Sequence, residues 1–303
     1  MSSGILNDKV VAVLMGGPGA EREVSLRSGA AVARALGSLG AKVVEIDVTG
    51  PDFPLPTDVH LAYNMIHGTF GEDGQLQAIL DAKGVPYTGE GARGSRLAFD
   101  KIESKRKFDE AGVPTAAFEV IERGVQPGLT APYVIKAPRQ GSSVGVHIIH
   151  DTAHVPAALE DCFQFGNEVL VEDFVKGREL TIGILGGKAL PVIEIVPNEG
   201  FYDYAHKYTK GASSYFVPAD IGEENTRRVQ EAAEAAHAAL GLEIYSRVDI
   251  LLASDGSLSV LEINTIPGMT ETSLLPKAAA VVGLDFAALC ERIAELSLAR
   301  HNR

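Results

Sequence analysis

The chain has 303 residues, of which 46% are hydrophobic, and its mean hydropathy is +0.09, values typical of a compact protein with room for about two domains. The formal net charge of −13 comes without a basic stripe, which excludes the usual electrostatic footprint of a nucleic-acid-binding protein. The first residues lack the basic and apolar regions of a secretory signal, and no uncharged apolar run reaches the ~18 residues of a membrane span, so we expect a cytoplasmic protein without membrane contact.

Strand-like and helical segments alternate through the N-terminal part of the chain. Strand patterns cover 10–15, 42–48 and 60–66, and helical patterns cover 25–39 and 76–83. Such alternation is typical of a parallel α/β sheet. The glycine-rich stretch 89–94 is the best candidate for a domain boundary. We therefore predict an N-terminal α/β domain over residues 1–90 with a Rossmann-like parallel sheet.

The remaining two thirds of the chain have mixed α+β character. We predict helices over 99–111, 153–165, 224–240 and 286–299, and strands over 117–121, 133–137, 146–149, 169–174, 180–185 and 189–196. The segment 197–218 fits no regular element, yet it contains four of the chain's eight tyrosines. Because long loops in compact domains are usually functional or disordered, this aromatic composition predicts a lid packed on a site.

A hairpin near the C-terminus carries an unusual distribution of charge. Strand-like residues 245–252 and 258–264 flank Asp255-Gly256, which predicts a two-residue turn that sets the register. In that register Asp249 faces Glu262, and Arg247 faces Asn264. Like charges that face each other destabilise a sheet. Because hard oxygen ligands suit Mg²⁺, we predict a magnesium site that holds a phosphate.

The charged face of the hairpin could instead be an ordinary solvated polar face. The opposite face of the hairpin distinguishes this alternative from a cleft wall. We expect burial of the apolar residues on that face, which are Val248, Ile250, Leu252, Leu261 and Ile263. The charged face itself becomes apolar at Leu251 and Val260, towards the turn. A face that grades from apolar to acidic favours a cleft wall.

A second candidate for phosphate binding lies between the predicted strands 133–137 and 146–149. Lys136 ends the first strand, and the Gly/Ser-rich stretch 139–145 follows. Such a loop can fold its N–H groups and hydroxyls over phosphates, although the Walker pattern is absent. The alternative is a flexible hairpin tip. Lys101 is a further candidate for a phosphate contact, and its alternative is an exposed helical lysine.

Weaker signals of ligand binding lie elsewhere in the chain. The strand 169–175 runs into acidic residues at an expected domain connection, where backbone groups could hold an adenine ring and Glu179 a ribose. Gly17-Pro18-Gly19 lacks the third glycine of a dinucleotide fingerprint because Arg22 takes that place. Glu21, at a helix N-terminus, either favours the helix dipole or receives a substrate ammonium. His67 follows the third strand, at the sheet edge where open α/β folds bind ligands, or is a satisfied edge histidine.

Cys162 and Cys290 are the chain's cysteines, and they stand far apart in the sequence. Neither belongs to a Cys-x-x-Cys motif or a Cys/His cluster, so the sequence suggests neither a disulfide framework nor a zinc site. We predict that both are core thiols.

Taken together, these segments resemble the D-alanine–D-alanine ligase family of the ATP-grasp superfamily. The resemblance rests on Gly16-Gly17, Glu21-Arg22-Glu23-Val24-Ser25, His67-Gly68, Gly71-Glu72-Asp73-Gly74, Pro86-Tyr87-Thr88-Gly89, Asp100-Lys101, Gly141-Ser142-Ser143-Val144-Gly145, Phe201-Tyr202-Asp203-Tyr204, Lys207-Tyr208, Arg247-Val248-Asp249 and 262–270. It covers nearly the whole chain, and the order and spacing of the motifs are very specific. One departure is Ala137, which stands after Lys136 where the family usually has proline.

The resemblance implies a two-lobed ATP-grasp fold after the N-terminal domain, with a central lobe over 91–178 and a C-terminal lobe over 179–303. ATP would lie between the lobes. Its phosphates would contact Lys101, Lys136, Ser142, Ser143 and Lys207, and its adenosine would contact Glu172 and Glu179. A pair of Mg²⁺ ions would be held by Asp249, Glu262 and Asn264, with Mn²⁺ as a substitute and a monovalent cation as a further activator.

The resemblance also implies the residues that bind the amino acids. Glu21 would bind the ammonium of the first D-alanine near His67, and Ser142 and Tyr208 would link with Glu21 across the closed site. Arg247 and the backbone N–H of Gly268 would stabilise charge on the reacting carbonyl, and Ser273 would receive the carboxylate of the second D-alanine. The implied function is ATP-dependent formation of D-alanyl-D-alanine through a D-alanyl phosphate, for peptidoglycan precursor synthesis, by a homodimer.

Other functions fit parts of the pattern. A related ATP-grasp ligase that makes D-alanyl-D-lactate or another dipeptide would resemble this chain, but the ligases that use D-lactate tend to lack a tyrosine at the position of Tyr208. A non-catalytic nucleotide-binding regulator would have no need of Arg247. A Rossmann-type oxidoreductase is the third alternative, and a change in NADH fluorescence on mixing would reveal it.

Overall fold

A computed structural model of the chain describes residues 4–142, 144–197 and 213–303. The N-terminal sheet is parallel and has the order β2-β1-β3. Its elements are β1 (Val10–Gly16), α1 (Arg22–Ser38), β2 (Lys42–Val48), β3 (Leu61–Asn64) and α2 (Gln75–Ala82). The central strand β1 is an apolar run that is buried along nearly all of its length, as expected for a parallel strand covered on both faces.

Two helices lead into a second sheet, which is antiparallel. The helices are α3 (Ala92–Phe99) and α4 (Lys101–Ala111), and the sheet elements are β4 (Phe118–Glu122), β5 (Tyr133–Lys136), β6 (Val146–Ile149), α5 (Val155–Cys162) and β7 (Glu168–Asp173). The strand order is β4-β7-β5-β6. Since β5 pairs with β6 in antiparallel register, the loop 137–145 joins them at one edge and can fold over a ligand.

The third sheet carries the C-terminal half of the site. Its strands are β8 (Gly177–Leu185), β9 (Lys188–Ala189), β10 (Ile193–Pro197), β11 (Ser213–Phe216), β12 (Tyr245–Ala253) and β13 (Leu258–Asn264). They run in the order β11-β10-β8-β12-β13, with β9 beside β8. Three helices, α6 (Glu223–Ala239), α7 (Leu274–Val281) and α8 (Phe286–His301), complete the chain.

The predicted fold class is confirmed, since a parallel sheet is followed by antiparallel sheets. The division at residues 90 and 178 stays a prediction. The third sheet begins at Gly177, and Ala98 and Phe108 of α3 and α4 share a buried cluster with Val248 and Ile263 of that sheet. The helices after the glycine-rich boundary therefore pack against the C-terminal half of the chain.

Several elements differ from their prediction. The helices α3 and α7 were not expected, and β11 lies within the segment 197–218 that fitted no element. The strand expected over 189–196 is divided, because β9 ends at Ala189 and β10 begins only at Ile193. Most of the expected lid, residues 198–212, lies outside the described residues.

The tip of the β12–β13 hairpin differs from the predicted two-residue turn, and that prediction is wrong. Ala253 N–H donates to Ser257 O at 2.9 Å, so a three-residue loop, 254–256, closes the hairpin, with Gly256 at φ +83°. A β-bulge then shifts the pairing, because Asp249 faces Glu262 while Ile250 faces Val260. Leu261 is the extra residue. The predicted pairings of Asp249 with Glu262 and of Arg247 with Asn264 are confirmed.

The bulge also exchanges two side chains between the faces of β13. Val260 is fully buried in the core, whereas Leu261 is half-buried and faces a cleft beside Leu251. The prediction that Leu261 is a core residue and Val260 a cleft residue is therefore wrong, because it assumed uninterrupted alternation. Both cysteines are buried free thiols, as predicted. Among the described residues, no helix is long and apolar enough to cross a membrane.

Candidate functional site

The predicted site residues within the described part of the chain line two adjoining spaces. The main cavity has a volume of about 640 Å³, and the predicted residues that line it are Glu21, His67, Lys101, Ser142, Arg247, Glu262, Asn264, Gly268 and Ser273. A narrower side cleft between the second and third sheets is lined by Lys101, Lys136, Glu172, Glu179, Asp249 and Glu262. Lys101 and Glu262 border both spaces and so mark where they meet. Ser143, Lys207 and Tyr208 lie outside the described residues.

Glu21 lies at the start of α1, at the carboxyl edge of the parallel sheet. Its carboxylate accepts a hydrogen bond of 2.5 Å from Ser142 Oγ, which joins the N-terminal domain to the loop after β5. A Cβ on Gly68, whose φ is +68°, would lie 2.5 Å from Glu21 Oε2, and a Cβ on Gly141 would lie 3.0 Å from it. Gly68 is therefore favoured by its positive φ, whereas a side chain at Gly141 would require a small shift of the Glu21 carboxylate.

His67 lies beside the main cavity, with both ring nitrogens bonded to protein. Nδ1 lies 2.7 Å from Ile266 O, which can only accept, so Nδ1 carries the proton. Nε2 then accepts from Ser28 Oγ at 3.0 Å. Burial lowers the pKa of His67, which agrees with a neutral ring. His67, in the loop after β3, thus connects α1 to the loop after β13. Because both of its ring nitrogens are bonded to protein, this geometry favours a positioning role over direct contact with a substrate.

The β12 strand presents Arg247 and Asp249 two residues apart, on the same face. Arg247 Nε and Nη2 donate to Asp249 Oδ1 and Oδ2 at 3.0 and 2.9 Å. Asp249 also accepts from Thr181 Oγ1 at 2.6 Å and from Asn264 Nδ2 at 3.3 Å. Asp249 as a residue is only 5% exposed, so these bonds hold both the anion and the guanidinium in fixed orientations.

Glu262 of β13 pairs with Lys101 of α4 where the two spaces meet. Its Oε2 lies 3.0 Å from Lys101 Nζ, which also donates to Gln140 O at 2.7 Å. Lys101 is the first residue of α4, and Asp100 caps that helix by accepting from Ile102 N–H at 3.0 Å. The cap fixes the start of α4 and with it the position of the ammonium group.

The donor set here fits Mg²⁺. The described part of the chain contains no cluster of three or more His, Cys, Asp or Glu side chains that could hold a metal ion on its own. Asp249 and Glu262 with the amide oxygen of Asn264 are hard oxygen donors on facing strands. Mg²⁺ is usually held by one or two carboxylates together with water and substrate phosphates. The residues therefore suit a metal that shares its coordination with a bound phosphate, and they do not form an all-protein cage.

A buried charge cluster lies at the inner end of the side cleft. Glu172 of β7 is 2% exposed, and its two carboxylate oxygens contact Lys136 Nζ and Lys105 Nζ, the latter at 3.0 Å. Burial opposes ionisation of Glu172, but the two ammonium groups outweigh it and lower the pKa of the carboxyl. Glu172 is therefore a charged acceptor in a water-poor cleft. Sequence reasoning did not single out Lys105.

Gly268 and Ser273 lie in the loop that joins β13 to α7. Ser273 is the N-cap residue of α7, and its Oγ accepts from Thr270 N–H at 3.0 Å. A Cβ on Gly268 would lie 3.1 Å from Ser273 Oγ, so glycine permits the close approach of the two residues. The helix N-terminus and the hydroxyl together suit an anion such as a carboxylate.

Glu72 is a second residue to which sequence reasoning gave no role. It borders the main cavity, is 8% exposed, and accepts from Gly68 N–H at 2.8 Å. Burial, together with the nearby charge of Glu21, raises the pKa of Glu72 to about 8. Its position four residues after Gly68 was visible in the sequence, but its burial was not.

Two departures from known patterns have a structural explanation. Ala137 N–H donates to Gly145 O at 2.8 Å and so extends the β5–β6 pairing, a bond that proline could not make.

Arg22 Nη1 and Nη2 donate to Asp47 at 2.8 and 2.6 Å. Asp47 lies near the end of β2, where dinucleotide-binding sheets place the acid that binds ribose. Its pairing with Arg22 argues against the oxidoreductase alternative.

Comparisons with known proteins identify the family of the chain. Residues 107–295 match the family model described as D-ala D-ala ligase C-terminus. The D-alanine–D-alanine ligase of Methylacidiphilum infernorum is 51% identical over 290 residues, with 96% of each chain covered. That of Citrifermentans bemidjiense is 48% identical over 293 residues, with 95% of this chain and 96% of the other covered.

Two solved structures extend the similarity to the fold. The D-alanine–D-alanine ligase of Bacillus anthracis complexed with ATP has a TM-score of 0.85 at 32% identity, covering 98% of this chain and 99% of that one. The VanG D-Ala:D-Ser ligase of Enterococcus faecalis has a TM-score of 0.84 at 29% identity, covering 96% and 100%. These matches confirm the predicted ATP-grasp fold, and the chain belongs to the D-alanine–D-alanine ligase family.

Proposed function

We propose that this protein catalyses the ATP-dependent joining of two D-alanine molecules to D-alanyl-D-alanine. The observation that carries the proposal is the convergence of Glu21, Arg247 and Ser273, from three separate parts of the chain, on one cavity of about 640 Å³. A zwitterionic amino acid needs an anion for its ammonium and a cation or a helix N-terminus for its carboxylate. The cavity offers both kinds of group, within reach of the lysines beside the side cleft.

The first step activates the carboxylate of one D-alanine. Its ammonium binds Glu21, and a carboxylate oxygen attacks the γ-phosphorus of ATP in line, which breaks the bond to the ADP oxygen and gives D-alanyl phosphate. Lys101 and Lys136 contact the phosphates, with Ser142, Ser143 and Lys207 as further contacts. Glu172 and Glu179, which line the side cleft, bind the adenosine.

Asp249, Glu262 and Asn264 would hold a pair of Mg²⁺ ions against the phosphates. When bound, Mg²⁺ neutralises charge on the transferring phosphoryl group. Mn²⁺ is proposed as a substitute and a monovalent cation as an activator. At this stage Arg247 would orient the carboxylate of Asp249, and Lys101 would orient that of Glu262, because these residues are already paired.

The second step forms the peptide bond. The free amine of the second D-alanine attacks the carbonyl carbon of D-alanyl phosphate, the C–O bond to phosphate breaks, and the departing phosphate takes up the proton that the amine loses. Arg247 and the Gly268 N–H stabilise the oxyanion, a contribution that is typically about 3 to 4 kcal/mol. Ser273, at the start of α7, receives the carboxylate of this second substrate. Because acyl phosphates hydrolyse, the site must exclude water, and we assign this task to the segment that contains Tyr208.

The product would serve as a precursor of peptidoglycan, and we expect a cytoplasmic homodimer that binds neither nucleic acid nor membrane. A ligase that uses D-lactate is the alternative, and no observation favours it. A test is to supply ATP with D-alanine or L-alanine, to measure ADP release and to identify the product by mass spectrometry. We expect ADP release with D-alanine only, together with D-alanyl-D-alanine. An ester as the main product when D-lactate is added would contradict the proposal.

A further inference from the structure

Lys105 is a buried charge to which the proposed reaction gives no task. It lies on α4, one helical turn after Lys101, and is 1% exposed. A lysine is seldom fully buried unless its ammonium is paired. Here Nζ lies 2.6 Å from Thr115 Oγ1, 3.2 Å from Ala116 O and 3.0 Å from Glu172 Oε2. The ammonium therefore donates two hydrogen bonds and is paired by charge with Glu172, so the side chain has one fixed position.

The two lysines that contact Glu172 differ in their surroundings. The side chain of Lys136 is 11% exposed and borders the side cleft, whereas that of Lys105 is 1% exposed and does not line the cleft. If Lys136 turns to a phosphate when nucleotide binds, it leaves Glu172. Lys105 would then be the counter-ion that remains. Without it a buried carboxylate would be unpaired and would take up a proton.

The protonation state of Glu172 determines which base the cleft prefers. A carboxylate only accepts hydrogen bonds, and it has four acceptor positions, of which Lys136 uses one, while Lys105 lies 3.0 Å from the other oxygen. The remaining positions suit the exocyclic amino group of adenine. The carbonyl oxygen of a 6-oxopurine would instead face a negative charge. A protonated carboxyl can donate as well and would not discriminate between the two bases.

Lys105 also connects the cleft to the strand that carries Glu262. Thr115 Oγ1, which accepts from Lys105, donates to Val260 O at 2.9 Å, and Val260 N–H donates to Pro114 O at 2.8 Å. Val260 precedes Leu261, the bulged residue that lines the cleft. The Lys105 ammonium is therefore connected to both walls of the cleft, to β7 through Glu172 and to β13 through Thr115. These contacts fix Glu172 relative to a base bound in the cleft.

We propose that Lys105 is a positioning residue that sets base specificity, by holding Glu172 as a charged acceptor for the amino group of adenine. This inference rests on the proposed function only in taking the side cleft as the base site. It assigns Lys105 no contact with any substrate. Its effect should therefore appear in the discrimination between adenine and 6-oxopurine nucleotides, and D-alanine binding should be unaffected.

The test compares Lys105→Met with Lys107→Met, a matched control on the same helix, where Lys107 is exposed and pairs with Glu110. Binding of ADP and of IDP is measured by calorimetry, and kcat/KM with ATP and with ITP by ADP or IDP release. We expect Lys105→Met to reduce the preference for adenine about tenfold or more, the size of a lost hydrogen bond to a charged group. The KM for D-alanine should change less than about twofold, and Lys107→Met should match the parent.

A folded Lys105→Met protein that binds ADP and IDP with the parental ratio would overturn the inference, as would an equal loss for both nucleotides. If Lys105→Met does not fold, Thr115→Val decides the question, because it keeps the charge but removes one anchor of the ammonium. A reduced ratio supports the inference, and an unchanged ratio refutes it. Parental protein that binds ADP selectively but makes no D-alanyl-D-alanine would refute the proposed function and leave this inference standing.

Discussion

Asp249 lies directly opposite Glu262 on neighbouring antiparallel strands, yet each carboxylate is paired with a cation of its own. Arg247 holds Asp249 through two hydrogen bonds of 3.0 and 2.9 Å, and Lys101 lies 3.0 Å from Glu262. The repulsion expected between facing carboxylates is therefore offset within the protein. Both cations belong to the set that we propose to act on phosphate or on the reacting carbonyl, so ligand binding and the pairing of these carboxylates must be linked.

The first prediction concerns Glu262→Gln. We expect the variant to fold, with a change in unfolding free energy below about 2 kcal/mol, because the pair with Lys101 is partly exposed and Lys101 keeps its bond to Gln140 O. Turnover that depends on Mg²⁺ should be lost, since the metal site loses a charge. ADP release over a Mg²⁺ titration measures this.

Glu231→Gln serves as a control for that experiment. Glu231 lies on α6, is exposed and pairs with Arg227 one turn away. The same change of charge at this position should leave the Mg²⁺ titration as in the parent. If Glu262→Gln shows parental turnover with parental Mg²⁺ dependence, Glu262 is not a metal ligand.

The pairing that brings the carboxylates together was predictable, but for an incomplete reason. The Asp255-Gly256 signal suggested a two-residue turn, whereas the loop contains three residues, 254–256. The bulge at Leu261 offsets this difference, so the predicted partners meet. A bulge depends on local packing and leaves no alternation signal in a seven-residue strand. Chain order and strand patterns could therefore predict the pairing of the residues that we propose to hold Mg²⁺, but not which of Val260 and Leu261 faces the cleft.

The unpredicted helices show a similar limit. For α7 a signal was present, because Ser273 is a good N-cap, Pro276 lies in the first turn and Gly283 follows the end. For α3 the cap is Gly91 and the helix spans only eight residues, which sequence patterns rarely reveal. The buried partners Glu72 and Lys105 could not be predicted, since their importance comes from burial and not from spacing.

A second prediction follows from the pKa of Glu72. Burial raises this pKa from 4.5 to about 8, so between these values the folded state binds a proton that the unfolded state lacks. The free energy of unfolding should therefore decrease as pH rises through this range. Glu72→Gln mimics the protonated side chain and can still accept from Gly68 N–H. We expect the variant to gain about 1 kcal/mol or more over the parent between pH 5.5 and 8.5.

Urea unfolding at three or four pH values measures this difference. Glu90 titrates in the same range, because burial raises its pKa to about 7, so the slope should be reduced and not abolished. The exposed variant Glu231→Gln should follow the parental curve. Parallel curves for Glu72→Gln and the parent would show that Glu72 is charged in the folded protein.

A third prediction concerns Glu90, which ties the glycine-rich boundary to the start of β12. Its carboxylate accepts from the N–H groups of Glu243, Ile244 and Tyr245 at 2.8, 2.7 and 3.0 Å. In Glu90→Gln an NH₂ group would face at least one of these donors. We expect a loss of about 2 kcal/mol in unfolding free energy at pH 8, where the parental carboxylate is charged. Because β12 carries Arg247, kcat should fall as well.

Glu243→Gln is the matched control for Glu90→Gln. The Glu243 side chain is 47% exposed and pairs with Arg303 at the surface. Its replacement should change the unfolding free energy by less than about 0.5 kcal/mol. Equal stability of the Glu90 and Glu243 variants would mean that the three backbone bonds do not hold β12 in place.

The last prediction separates two properties of Ser142. Its hydroxyl donates to Glu21 at 2.5 Å, and its backbone has φ +55°, a left-handed conformation that glycine adopts more easily than alanine. Ser142→Ala and Ser142→Gly both remove the hydroxyl, but only alanine keeps the backbone strain. If the hydroxyl orients Glu21 for the ammonium of the first D-alanine, both variants should raise the KM for D-alanine by about 12- to 160-fold, the range of one lost hydrogen bond to a charged group. Ser142→Gly should equal or exceed Ser142→Ala in melting temperature. Initial rates over a D-alanine series, with ATP saturating, measure the shared effect. If Ser142→Gly keeps the parental KM while Ser142→Ala does not, the residue acts through its backbone and the hydroxyl has no part in binding D-alanine.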